Sequence, residues 1–183
     1  MPPEPEFVPD TFVNKLILLF VLEKMEIPLT ENSILEICTG KNTWLNYMDC
    51  KEIFFQLLQT KFIYTPSETK RESRFNITYD GRTCLSHFYQ RIPASLRENI
   101  TNYCKINRNY IKRTQEYVAE YFKNEDGSYT VEFKIYEMLI PNALFEIRIK
   151  TATRQSAINS CKKWRDGAPA MYEHVYETLL EEK

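Results

Sequence analysis

Glycine is scarce in this chain, 4 residues in 183, so a glycine-rich loop that cradles phosphates has little to be built from. Long apolar runs are missing as well. The longest, "LILLFVL" from Leu16 to Leu22, falls well short of the roughly 20 residues a membrane-spanning helix needs. The amino-terminal stretch has neither the basic lead nor the small-residue cleavage pattern of a secretion signal, so the expectation is a cytoplasmic protein that does not enter a membrane. No C-x-x-C occurs, and the cysteines, at positions 38, 50, 84, 104 and 161, are odd in number. Thiols in that setting read as reduced. The N-x-T matches at Asn76 and Asn99 then carry no glycan.

Histidine is limited to His87 and His174, so any Ser-His-Asp or Cys-His arrangement must pass through one of them. No G-x-S-x-G, P-loop or H-E-x-x-H occurs. Cys84 and His87 form C-x-x-H on a predicted helix, but a tetrahedral zinc site needs more ligands. His174 and Cys104 supply no spaced second pair. Cys84 reads as core and His87 as a surface residue. The expectation is neither an enzyme nor a metalloprotein, with no cofactor.

Charge of one sign is also lacking overall, at net −1, but its distribution is uneven. Residues 1–60 carry 4 Lys/Arg against 9 Asp/Glu, residues 61–113 carry 11 against 4, and residues 114–183 carry 9 against 12. A basic middle between acidic ends hints at an anionic partner, or else is a solvated basic surface. The apolar fraction, 43%, is enough for a buried core in one large domain or two small ones.

After a proline-rich acidic tail, residues 1–9, Asp10 can cap a helix from Thr11 to about Met25 that is apolar on nearly every side and therefore central. Pro28 breaks it. Thr30 caps a second helix, about Glu31 to Cys38, which Gly40 ends. "DCKE" has capping-box form, with Asp49 as cap, and predicts a third helix from about Cys50 to Gln59. Its inner face is Ile53, Phe54, Leu57 and Leu58. Its outer face is Lys51, Glu52, Phe55, Gln56 and Gln59. Then comes "KFIYTPSETKRESRFNITYDGR", residues 61–82: Phe62, Ile63 and Tyr64, then Phe75, Ile77 and Tyr79, around a tip with Lys70, Arg71 and Arg74.

A short helix, "DGRTCLSHFYQRI", follows, then a longer one from Pro93 to about Arg113 with a stripe of Leu96, Ile100, Tyr103 and Tyr110. Beyond Thr114 the apolar period changes to two. "YVAEYF", "SYTVEFKIYE" and "FEIRIK" read as a three-stranded antiparallel meander, with Phe145, Ile147 and Ile149 inward. Asp126-Gly127 and Pro141-Asn142 mark its turns. Two helices, about 155–165 and 168–180, separated by "DGAP", should cover it.

Three helices followed by a two-stranded hairpin is the winged-helix order, in which the third helix enters the major groove and the hairpin tip lies on the backbone. Taken together, "FVNKLILLFVLEKMEIPLTENSILE", "YMDCKEIFFQLLQTKFI", "YDGRTCLSHFYQRIPASLRENI" and "VAEYFKNEDGSYTVEFKIYE" resemble the bacterial domain-of-unknown-function family 4364, found mainly in clostridia and their relatives. The resemblance runs from about Phe12 to the last helix. It implies an N-terminal winged helix with a family-specific C-terminal domain, acting as a transcriptional regulator, and it supplies no catalytic residues. The chain departs from the family pattern at Phe55, where the outer face of the third helix tends to be polar, and at Lys61, where a Gly tends to follow that helix.

The expectation is therefore an α+β protein. Residues 10–92 form a winged helix, and 93–183 a linking helix plus an α/β domain that dimerises or senses a small molecule. Double-stranded DNA would be met by Lys41, Tyr47, Lys51, Gln56 and Gln59 at and before the third helix, and by Lys70, Arg71 and Arg74 at the wing tip, in a homodimer. The alternative is a winged-helix adaptor that binds protein and not DNA. Phe55 would then be a partner contact, although the favoured reading places it in the core through a helical phase one residue off.

Overall fold

The computed structural model describes residues 10–66, 73–137, 140 and 142–180. Among them are six α-helices and two antiparallel three-stranded sheets. The order is α1 (Thr11–Met25), β1 (Leu29–Thr30), α2 (Glu31–Thr39), α3 (Tyr47–Gln59), β2 (Ile63–Tyr64), β3 (Arg74–Ile77), α4 (Tyr79–Phe88), a 3-10 turn (Tyr89–Arg91), α5 (Ala94–Glu116), β4 (Tyr117–Lys123), β5 (Tyr129–Tyr136), β6 (Ala143–Thr151) and α6 (Arg154–Leu180). The chain divides into two compact units, residues 1–108 and 109–183, so the division falls within α5.

In the first unit, α1 is buried around nearly its whole girth, from Val13 to Met25. It packs on α2, α3, α4 and β3, which explains an apolar pattern without a polar face. Asp10 caps it by accepting the Val13 amide at 2.7 Å. Thr30 caps α2 by accepting the Ser33 amide at 3.1 Å. The small sheet has the order β1-β3-β2, with Leu29 opposite Phe75 and Ile63 opposite Ile77. Phe75 meets Phe54 of α3 edge-on at 4.7 Å, which fixes the sheet against that helix.

Two backbone positions hold α3 and α4 to the sheet. Lys61 follows α3 in the left-handed region, φ 60°. The Phe62 amide donates to Leu57 O at 2.9 Å and the Lys61 amide to Leu58 O at 3.1 Å, the paired bonds of a Schellman ending. At Gly81, in the first turn of α4, an added Cβ would stand 2.3 Å from Phe62 O and 2.8 Å from Ile77 Cγ1. No side chain fits there.

The second unit is the meander β4-β5-β6 with α6 across it. Val131, Phe133 and Ile135 pack against Ala157, Trp164 and Ala168, with Phe145 and Tyr172 beside them. The first turn places Gly127 at φ 82° and closes with the Asn124 amide donating to Ser128 O at 2.8 Å. Thr153 caps α6 by accepting the Ser156 amide at 3.1 Å.

Several expectations change. The two carboxy-terminal helices are one, with Pro169 inside it; burial of Trp164 and Ala168 on the sheet holds the helix through Asp166-Gly167. α3 starts at Tyr47, because Asn46 caps it instead of Asp49. Tyr79 is not in the hairpin but opens α4, fully turned to solvent. The inner stripe of α5 is Ile100, Cys104 and Ile111, while Tyr110 is exposed. Ile149 points as predicted but is exposed, since α6 leaves that end of β6 uncovered. The tail, most of the hairpin tip and Pro141 lie outside the described residues.

Candidate nucleic-acid interface

The surface to test is the outer side of α3. Asn46 accepts the Asp49 amide at 2.8 Å and sets where the helix begins. Cys50, Ile53, Phe54 and Leu57 turn inward. With that side fixed, Tyr47, Lys51, Phe55 and Gln59 follow one another at i+4 spacing along the other side.

Tyr47 is 52% exposed, Phe55 50% and Met48 74%. The helical phase is thus correct, and Phe55 is outside the core; its ring keeps one edge on Phe54 at 5.6 Å. Lys51 is tied down. Its Nζ lies 3.2 Å from Glu31 Oε1 and 5.9 Å from the centre of the Tyr47 ring. The hydrogen bond to Glu31 raises its pKa above the ordinary lysine value. Gln56 is half-buried and donates to Glu52 Oε1 at 2.9 Å. Gln59 is exposed at the last turn, and Lys41 is exposed in the connection after α2.

Arg74 is not at an exposed tip. It is the first residue of β3, opposite Thr30, and only 8% exposed; a side chain enclosed to that degree cannot lie along a duplex. Lys70 and Arg71 lie outside the described residues. The structure therefore brings Tyr47, Lys51 and Gln59 onto one helix side, leaves Gln56 turned to Glu52, and removes Arg74 from the set. Met48 was missed because the predicted helix began two residues after it. The signal that pointed to it is Asn46, as good a cap as Asp49 and likewise followed three residues later by an acidic side chain.

Cys84 is half-buried and His87 exposed, its Nδ1 2.7 Å from Thr83 O. Among the described residues no group of three or more His, Cys, Asp or Glu is placed to hold a metal ion, and no helix is long and apolar enough to cross a membrane. No curated protein and no solved structure matches the chain. A family profile described as "Domain of unknown function (DUF4364)" matches residues 14–179, almost the entire length, and the chain belongs to that family.

Proposed function

We propose that residues 10–92 form a winged helix and that the protein is a double-stranded DNA-binding transcriptional regulator acting as a homodimer. One observation carries the reading: three helices and a sheet of order β1-β3-β2 leave the outer side of α3 open, just before the chain enters the β2–β3 hairpin. That side holds the kinds of group that read a major groove. Gln59 offers a side-chain amide, Tyr47 a phenol and Lys51 an ammonium, and Met48 offers apolar surface for a thymine methyl. The bond between Lys51 and Glu31 is half-enclosed at both ends, and near-surface ion pairs of this kind contribute little, so Lys51 can exchange it for a phosphate. Lys70 and Arg71, which follow β2 and precede β3 in the sequence, add two cations to this reading. Met171, Leu179 and Leu180 of α6 are exposed and support self-association through the second unit.

A second reading, a protein-docking adaptor, is favoured by the exposed Tyr47, Met48 and Phe55 and by the absence of Arg from α3. Exposed aromatic clusters of this kind anchor protein interfaces. Two variants separate the readings. The pair Lys70→Glu and Arg71→Glu should abolish retention of DNA fragments by the regulator, while Phe55→Ser should break the complex of an adaptor and leave any DNA signal unchanged. Unchanged DNA affinity in the charge-reversed protein would remove the first reading.

A further inference from the structure

We propose that a cleft within the second unit is a binding site for a small organic cation with an apolar body. It is an open cleft of about 650 Å³ between the end of α5, the sheet and α6, a volume within the 300–1,000 Å³ typical of small-molecule sites. Its walls are apolar and aromatic: Tyr117, Tyr136, Tyr172 and Tyr176 around Ile135 and Leu144. Pro169 adds a ring without an amide hydrogen to the wall.

The charge around this aromatic surface has one sign in excess. Among the described residues, Glu116, Glu137 and Glu173 line the cleft against one cation, Lys112, and Lys112 is already drawn to Glu116 at 3.9 Å. Tyrosine faces carry negative quadrupole potential and attract cations within about 6 Å. Carboxylates beside them add the long-range attraction that orients the charged end. An anion meets the reverse on both counts, and a neutral apolar molecule gains nothing from the carboxylates. The aromatic wall is ordered for the task, since Tyr172 packs edge-on to Phe145 at 6.1 Å and Tyr176 lies 6.3 Å from Tyr172. The site lies wholly within residues 109–183 and does not depend on what α3 binds.

The test uses the full chain and two ions of the same shape and opposite charge, tetraphenylphosphonium and tetraphenylborate, titrated by calorimetry. Saturable 1:1 binding of the phosphonium with none of the borate is expected. Tyr176→Ala and Glu173→Gln should each weaken it about tenfold, one cation–π or ionic contact of about 1.4 kcal/mol. Both residues are exposed, so an unchanged thermal melt is expected to accompany the loss. No phosphonium binding, equal binding of both ions, or binding unchanged in both variants would overturn the proposal. So would a dimer that Tyr176→Ala splits while the wild type takes up no probe, which would assign the cleft to a second copy of the chain.

Discussion

Lys61 holds a left-handed conformation that L-residues other than Gly, Asn and Asp rarely adopt, at a cost of about 1–2 kcal/mol. It does so because the Schellman bonds that end α3 and aim the chain into β2 require φ above zero at that residue. Lys61→Gly should therefore stabilise the protein by about 1 kcal/mol in urea unfolding, net of the extra freedom Gly brings to the unfolded chain. Gly81 is the opposite case. Its Cβ would strike the Phe62 carbonyl, so Gly81→Ala should destabilise by about 1–3 kcal/mol, measured the same way. Both positions were visible as residue types, Lys where the family resemblance leads one to expect Gly and Gly inside "YDGR", but the bonds that make them necessary are between elements. Asp10 and Thr30 were legible because a cap is settled within four residues. Asn46 was not, because Asp49 satisfied the same local rule a turn later.

At the scale of the element, the alternation of β5 and β6 was legible and its coverage was not. Period two assigns faces, but exposed Ile149 shows that burial depends on where α6 lies across the sheet. The run "DGAP" read as a break because Gly and Pro oppose a helix locally; the buried Trp164 and Ala168 on either side of it outweigh that preference. β1 was invisible in sequence, being two residues, Leu29 and Thr30, with no room for a period. The outer face of the meander carries a charge ladder that sequence could not pair. Glu132, buried in β5, accepts from Lys134 and from Arg148 Nη2 at 2.6 Å. The bond from Lys134, with help from Arg148, holds its carboxyl below the ordinary glutamate value. A depressed folded-state pKa gives stability that is present above the unfolded value, about 4.3, and is lost as pH falls through the folded one. Glu132→Gln should cost about 1 kcal/mol at pH 7, and the difference from wild type should vanish in acid. A cost that is the same at pH 7 and pH 3 would contradict this.

For the whole molecule, part of the basic middle of the sequence is answered from within. Arg82 pairs with Glu23 at 2.7 Å, Arg91 with Asp10 at 3.5 Å and Arg108 with Glu26 at 2.8 Å, joining the basic segment to the acidic start of the chain. Residues 1–108 hold 13 Lys/Arg and 13 Asp/Glu and are neutral. Under the proposed reading as a regulator, DNA binding gains little from charge alone. If Lys51, Lys70 and Arg71 of each protomer meet phosphate, the affinity of a dimer should fall with salt at a log–log slope of about −5, and base contacts must supply the rest.

The most direct measurement is selection of bound duplexes from a random DNA library by the full chain at physiological salt, where non-specific binding is only about 10⁻⁴ to 10⁻⁶ M. The account predicts recovery of a palindromic motif whose half-sites lie about one helical turn apart or a multiple of it. Recovery of no motif, by protein whose cooperative melt shows it folded, would contradict it and leave the exposed side of α3 to a protein partner.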